Sequence, residues 1–125
     1  MPEKAPIKTF SDLEVYQSSH NLAMKIFVLT KIFPVEERYS LTDQIRRSSR
    51  SVCVNLSEGY RKRIYPAHFI SKCSDADMEN SATQIWIDFA FYCKYINEQT
   101  QTDLLNKSTE IGRLLNYIIG NNLVF

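Results

Sequence analysis

Helical periodicity over nearly the whole chain is the feature that most constrains how this chain can fold. Only three glycines and four prolines occur among 125 residues, and two of the prolines fall within the first six. The remaining breakers divide the chain into four segments in which apolar residues recur every three or four positions. Valine and isoleucine follow the same spacing, and no convincing alternating strand appears. The pattern predicts an all-α fold, an up-down antiparallel four-helix bundle formed as a single domain.

Prolines and capping residues place the ends of the four helices. The predicted helices run from Ser11 to near Pro34, from near Ser40 past Arg61, roughly from Pro66 to Ile96, and from residues 100–102 to just before Gly120. Ser11 and Glu14 have the spacing of a capping box. The residue before Pro34 resists helical geometry, which ends the first helix. Residues 1–10 are therefore expected to form a flexible tail, and residues 11–125 the four-helix bundle.

Positive charge is concentrated in the second predicted helix. The whole chain has a net charge of only +1. The stretch QIRRSSRSVCVNLSEGYRKR, residues 44–63, holds six cations and one acid, Glu58, and so carries +5. The rest of the chain has nine cations and thirteen acids, or −4. The nearly neutral total therefore conceals a local basic patch.

The cations of this stretch fall opposite its apolar and small residues on a helix of about 3.6 residues per turn. The predicted inward face comprises Leu41, Ile45, Ser48, Ser49, Val52, Leu56 and Gly59. The predicted nucleic-acid-binding residues are Arg46, Arg47, Arg50, Arg61, Lys62 and Arg63. Arginine suits this role because its planar fork stays charged and binds phosphate oxygens in pairs. Tyr60 and Tyr65 lie near enough in sequence to stack on bases.

A second interpretation of the same cations stays open, in which they form a solvated face or pair with acids of other helices or subunits. The acids available for such pairs are Asp75, Asp77, Glu79 and Asp88. Asn55 and Glu58 border the inward face and predict a structural polar network between helices or subunits, because polar groups there need partners. Glu58 also has the i,i+4 spacing of a favourable pair with Lys62.

The sequence contains no catalytic or metal-binding motif. No ExxH pair of a di-iron bundle occurs, nor a P-loop, GxSxG or HExxH. We therefore predict no enzyme activity, no cofactor and no metal site. His20 lies on an apolar stripe and is predicted to occupy the core or an interface, and His68 is predicted to be exposed. Trp86 is interpreted as packing with Phe89 and Phe91.

Three widely spaced cysteines and the hydropathy pattern indicate where the protein acts. Cys53, Cys73 and Cys93 form no CxxC pair, and an odd number argues against a disulfide framework, so buried free thiols are expected. No signal peptide follows the first lysines. No apolar run approaches the ~20 residues that span a bilayer. These features predict a cytoplasmic protein with no membrane partner.

The basic stretch resembles a known motif, and the similarity extends over nearly the whole chain from residue 10. Residues 44–63 resemble the QIRRA…SIPANIAEG…R motif of a small bacterial four-helix-bundle family, the 23S rRNA intervening-sequence protein family. Residues 10–17 (FSDLEVYQ), 33–41 (FPVEERYSL) and 110–115 (EIGRLL) look like its FxDLxVWQ, FPxxExYxL and EIGRML segments. The proline of SIPANIA is missing here, so the second helix is expected to be straighter.

The resemblance implies an up-down bundle assembled as a homopentamer, some members being encoded within 23S rRNA genes. A related branch, the accessory proteins of diversity-generating retroelements, binds a reverse transcriptase and nucleic acid. The expected partners are therefore further copies of the chain, RNA or DNA, and a reverse transcriptase. We predict a non-enzymatic homo-oligomer that binds nucleic acid through the basic face of its second helix. The alternative is a protein–protein interaction scaffold with no nucleic-acid role, favoured by wide apolar faces on the first and third helices.

Overall fold

The computed structural model describes residues 9–10 and 13–121, which form helices joined by short loops and, in this part of the chain, no β-strand. The helices are α1 (Glu14–Thr30), α2 (Leu41–Arg61), α3 (Pro66–Tyr92) and α4 (Glu98–Gly120), with a short 3₁₀ helix at Val35–Glu37. Helices α1 and α3 each pack against both α2 and α4. The four helices therefore surround one core as a four-helix bundle, and the predicted fold class is confirmed.

The starts of α1 and α2 differ in detail from the predicted caps. Leu13 occupies the N-cap position of α1 and makes no side-chain cap bond. Ser11 of the predicted capping box, like residues 1–8 of the expected tail, lies outside the described residues. Ser40 holds the cap position of α2, but its Oγ donates to Glu37 Oε1 at 2.5 Å instead of capping the helix. This bond is the main reason why the pKa of Glu37 is lowered, and a bond from Tyr95 adds to it.

Helix α3 ends at Tyr92, four residues before the predicted end at Ile96. Lys94 adopts a left-handed φ of 66°, its N–H donates to Phe91 O at 2.9 Å, and Tyr95 N–H donates to Ala90 O at 2.9 Å. These two bonds form the Schellman motif that closes a helix. The Tyr95 hydroxyl donates to Glu37 Oε2 at 2.8 Å, and this bond raises the pKa of Tyr95 to about 12. The apolar pattern continues past the helix end because Ile96 still packs against the core.

Helix α4 begins at Glu98, earlier than predicted, because Asn97 caps it by accepting a hydrogen bond from Thr100 N–H at 2.8 Å. Gly120 is its last residue and Asn121 its C-cap, so the helix ends one residue later than predicted.

The predicted inward face of α2 is confirmed in full. All seven of its residues are buried: Leu41, Ile45, Ser48, Ser49, Val52, Leu56 and Gly59. The buried residues of α1 include Val15, Leu22, Ala23 and Ile26 but not His20. His20 is exposed, and its ring stacks on Tyr16 at 6.2 Å. A core position for His20 is therefore wrong, and an interface between subunits stays a prediction.

The cysteines differ in burial, and all three are free thiols. Cys73 is buried, Cys53 is half-buried, and Cys93 is exposed, so the prediction of buried thiols fails for Cys93. Burial raises the pKa of both Cys53 and Cys73 to about 11. These two thiols are consequently protonated at neutral pH and poor nucleophiles.

Helices α2 and α3 approach each other closely at Gly59. A Cβ placed on Gly59 would lie 2.9 Å from Lys72 Cβ and 3.5 Å from the Phe69 ring and carbonyl oxygen. Lys72 Cβ is attached directly to the α3 backbone, so it cannot move aside as the end of a flexible side chain could. The close packing of the two helices at this position therefore depends on the absence of a side chain at Gly59.

We expect Gly59→Ala to lower the free energy of unfolding by about 1–3 kcal/mol, because overpacking outweighs the better helix propensity of alanine. Gly120→Ala is the matched control, since a Cβ there meets nothing within 4 Å. This control should leave stability unchanged or raise it by up to about 1 kcal/mol. Urea denaturation measures both variants, and equal effects would contradict the close approach.

Candidate nucleic-acid interface

The face of α2 that points away from the core carries most of its positive charge. Arg47, Arg50, Arg61 and Lys62 are exposed, while Arg46 and Arg63 are half-buried. None of these six cations forms a salt bridge within the described part of the chain. Their charges are therefore free to act on a partner.

The six predicted binding residues form two groups along α2. Arg46, Arg47 and Arg50 lie in its first half. Arg61 ends the helix, and the turn that follows holds Lys62 and Arg63. Fifteen residues at 1.5 Å each place Arg46 and Arg61 about 22 Å apart along the axis. The basic face therefore presents two cationic groups separated by several nucleotides' length.

The first group is joined by Lys31, the residue that follows α1. Arg46 Nε donates to Thr30 Oγ1 at 2.7 Å, and the Arg46 Cζ lies 4.8 Å from the Phe27 ring centroid. The Arg50 Cζ and the Lys31 Nζ lie 5.5 and 5.0 Å from the same centroid. We call Lys31, Arg46 and Arg50 around Phe27 the Phe27 cluster. The sequence did not predict this role for Lys31 or Phe27, since the cluster forms only where α1 packs on α2.

In the second group, Arg63 already contacts another residue of the chain. The Arg63 Cζ lies 4.0 Å from the Tyr60 ring centroid, and Arg63 Nη1 donates to Tyr60 O at 3.0 Å. The Tyr60 side chain is only 5% exposed, so its predicted stacking on bases is wrong. Tyr65 is more than half exposed, with His68 against its ring at 5.9 Å. Tyr65 therefore keeps a surface on which a base can stack.

Glu58, the acid within the basic stretch, pairs with a residue of α3. Lys72 Nζ lies 2.8 Å from Glu58 Oε2, and this hydrogen bond raises the pKa of Lys72. The predicted pair between Glu58 and Lys62 is not found among the described residues. Asn55 Nδ2 donates to Ser51 O at 2.9 Å, within its own helix. The polar network predicted for Asn55 and Glu58 stays a prediction for contacts between subunits.

A buried polar network does occur, at a position that sequence reasoning missed. Asn80 is 2% exposed, its Nδ2 donates to Ser108 O, and Ser108 Oγ donates to Asn80 Oδ1, both at 2.9 Å. Gln84 Nε2 donates to Ser108 Oγ at 3.0 Å, and Thr83 Oγ1 to Ser48 Oγ at 2.8 Å. These bonds connect α3 with both α4 and α2. They satisfy polar side chains that would otherwise destabilise the core.

The described residues show two further features of the molecule. No three His, Cys, Asp or Glu side chains among them lie close enough together to hold a metal ion. Within the same part of the chain, no helix combines the length and apolar character needed to cross a membrane.

The fold and this face define the class of protein as a small four-helix bundle with a basic second helix. Residues 11–117 match the family model described as 23S rRNA-intervening sequence protein. The chain belongs to the 23S rRNA-intervening sequence protein family.

One solved structure in particular supports this assignment. It is the 1.70 Å crystal structure of a protein of unknown function from the S23 ribosomal protein family of Bacteroides thetaiotaomicron. The two chains are 30% identical, with a TM-score of 0.76, and the match covers 85% of this chain and 95% of that one. Among curated proteins, none matches the chain significantly.

We expect Asn80→Asp to destabilise the bundle by about 2–4 kcal/mol at pH 7, because it buries a charge and removes the donor to Ser108 O. The loss should be smaller near pH 4. Burial raises the pKa of a carboxyl, so the folded state binds a proton more readily and stability falls as pH rises. Asn106→Asp, at an exposed position of α4, is the control. Urea denaturation at both pH values measures the two variants, and equal losses would contradict the buried network.

Proposed function

We propose that this protein is a non-catalytic, self-associating bundle of the cytoplasm that binds RNA or DNA through the outward face of α2. The observation that carries the proposal is the set of exposed α2 cations without acidic partners within the described chain. Nucleic-acid phosphates attract such a face and release counterions when they bind it. Guanidinium groups add paired hydrogen bonds to the phosphate oxygens.

The positions of the acids support this interpretation over internal ion pairs. Glu58, the only acid of the stretch, is paired with Lys72 of α3. Asp88 accepts a hydrogen bond from Gln101 Nε2 at 3.0 Å, on the side of α3 that faces α4. Asp103, on α4, pairs with both Lys25 and Lys107. These acids are engaged away from the cations of α2, whose charge is left for a partner.

The outward face of α3 supports self-association. Met78, Ile85, Phe89 and Tyr92 are each more than half exposed. At 100° per residue they fall within an arc of about 60° on α3, and Glu79 and Asp88, the charged residues of this segment, lie outside that arc. A continuous apolar strip of this kind is uncommon on a monomer and marks a protein contact. We propose that a second copy of the chain covers it, and that the closed assembly is the homopentamer implied by the family resemblance.

Self-association would strengthen nucleic-acid binding. Each copy carries four exposed cations on this face, which is a small electrostatic footprint. Copies held together present several such faces to one strand, and each further contact then becomes intramolecular.

We expect the variant Arg47→Ala/Arg61→Ala/Lys62→Ala to bind a single-stranded RNA on the order of 10–100 times more weakly than the wild type at low salt. These side chains are exposed and make no salt bridge in the described structure, so their removal should leave folding unchanged. Fluorescence anisotropy measures the affinity.

The matched control removes three cations from α1 and α4, as Lys25→Ala/Lys107→Ala/Arg113→Ala. These residues are exposed and ion-paired with Asp103 or Glu110. The control has the same change in net charge, so only a specific face distinguishes the two variants. Equal affinities of the two variants would contradict the proposal.

We expect light scattering to give the wild type a mass several times 14.6 kDa, about 73 kDa if five copies assemble. Phe89→Glu should shift the mass toward that of one chain, because it places a charge in the apolar strip. Tyr117→Glu is the control at an exposed aromatic of α4. A wild type that elutes as one chain would rule out self-association.

The second candidate function is a protein–protein scaffold with no nucleic-acid role, and the same apolar strip of α3 favours it. In that case the α2 cations pair with acids of another subunit or partner, and a reverse transcriptase is the partner that the resemblance suggests. A defined oligomer that ignores RNA and DNA at low salt but captures that enzyme would favour the scaffold.

A further inference from the structure

We infer that the Phe27 cluster is a binding site for one phosphate group, formed jointly by Lys31 at the C-terminal end of α1 and by Arg46 and Arg50 of α2. This inference rests on the proposed function, because it identifies where on the basic face a nucleic-acid phosphate is held most firmly. It adds a residue outside α2 to the interface. It also separates the six predicted binding residues into those that contact a common phosphate and those that contact different phosphates.

The geometry brings three positive charges to one point. The charged groups of Arg46, Lys31 and Arg50 lie 4.8, 5.0 and 5.5 Å from the centroid of the Phe27 ring. No two of them are therefore more than roughly 11 Å apart, which is comparable to the Debye length of about 10 Å at 0.1 M salt. Salt screens their mutual repulsion only in part at such distances.

None of the three forms a salt bridge within the described residues, so no acid in direct contact offsets this repulsion. The negative face of an aromatic ring attracts each cation weakly. The ring thus gathers the three charges without neutralising them. A bound anion would supply the missing negative charge.

The cluster is also ordered before any ligand arrives. Arg46 Nε donates to Thr30 Oγ1, and that hydroxyl donates to Phe27 O at 3.0 Å. Thr30 is buried, so this pair of bonds fixes the base of the Arg46 guanidinium between the two helices. The terminal amines of Arg46 make no hydrogen bond among the described residues and are left for a ligand.

The chemistry of these groups suits phosphate. Two guanidinium forks present paired donors, and Lys31 adds a compact point charge. Phosphate oxygens accept hydrogen bonds from several directions, so one group can contact more than one of these cations. The phosphate can belong to a nucleic-acid backbone or be free in solution, and the two arms of the experiment below separate these sources.

The first arm is a double-mutant cycle on RNA binding. A fluorescein-labelled uridine oligonucleotide is the probe, and Lys31→Gln and Arg46→Gln should each weaken binding about fivefold. If both grip one phosphate, the double variant loses only about tenfold, short of the ~25-fold expected for independent contacts. The control pair is Lys31→Gln with Arg61→Gln, because Arg61 lies about 22 Å along α2 from Arg46. Arg61→Gln alone should also cost about fivefold, and the two effects should multiply to about 25-fold.

The second arm uses inorganic phosphate and the Nε–H resonances of the arginines. Phosphate should shift the Arg46 and Arg50 resonances together and saturably in the wild type. Arg113, which is paired with Glu110, should not follow. The shifts should weaken in Lys31→Gln, an exposed position whose change leaves the fold intact.

The outcomes separate this inference from the proposed function. The phosphate site would be ruled out by independent effects of the two substitutions in the first arm. It would also be ruled out by equal phosphate shifts at Arg46, Arg47 and Arg61 in the second. Neither result would contradict nucleic-acid binding. If the wild type binds no RNA but shows saturable shifts confined to the cluster, the proposed function is wrong and the cluster is a site for free phosphate.

Discussion

At Gly59 the backbone of α2 lies so close to α3 that one added methyl group would meet Lys72 Cβ at 2.9 Å. On the same face of α2, Ser48 accepts a hydrogen bond from Thr83 Oγ1 of α3. Two such contacts fix the rotation of α2 about its own axis. Because side chains on the opposite side then point to solvent, the exposure of the arginines follows from how α2 packs. The basic face is thus a consequence of the core.

The same helix pair also sets the local charge balance. Lys72 packs beside Gly59 and reaches Glu58, so the acid of the basic stretch is engaged by another helix. Lys31, which follows α1, adds a cation beside α2 at the Phe27 ring. A protein of net charge +1 consequently presents a positive surface along one helix, while Glu58, Asp103 and Glu110 pair with cations outside α2.

Helical periodicity predicted the fold and the two faces of α2, since both depend on spacing along one helix. The end of α3 was missed because Lys94 takes the left-handed position at which sequence rules look for glycine. The pairing of Asn80 with Ser108 and the cluster around Phe27 join residues of different helices. Their formation depends on how the helices are rotated against each other, which no single segment specifies. The exposure of Cys93 was missed for the same reason as the end of α3, because Cys93 is the first residue after the helix.

The salt dependence of RNA binding by the wild type tests most directly whether the α2 face contacts phosphates. Four exposed cations per chain predict a slope of log affinity against log salt of about −3 for each chain that contacts single-stranded RNA. Assembly of several copies on one strand would make the slope steeper. An affinity that stays constant between about 50 and 200 mM salt would contradict the account, because no phosphate contact would then be present.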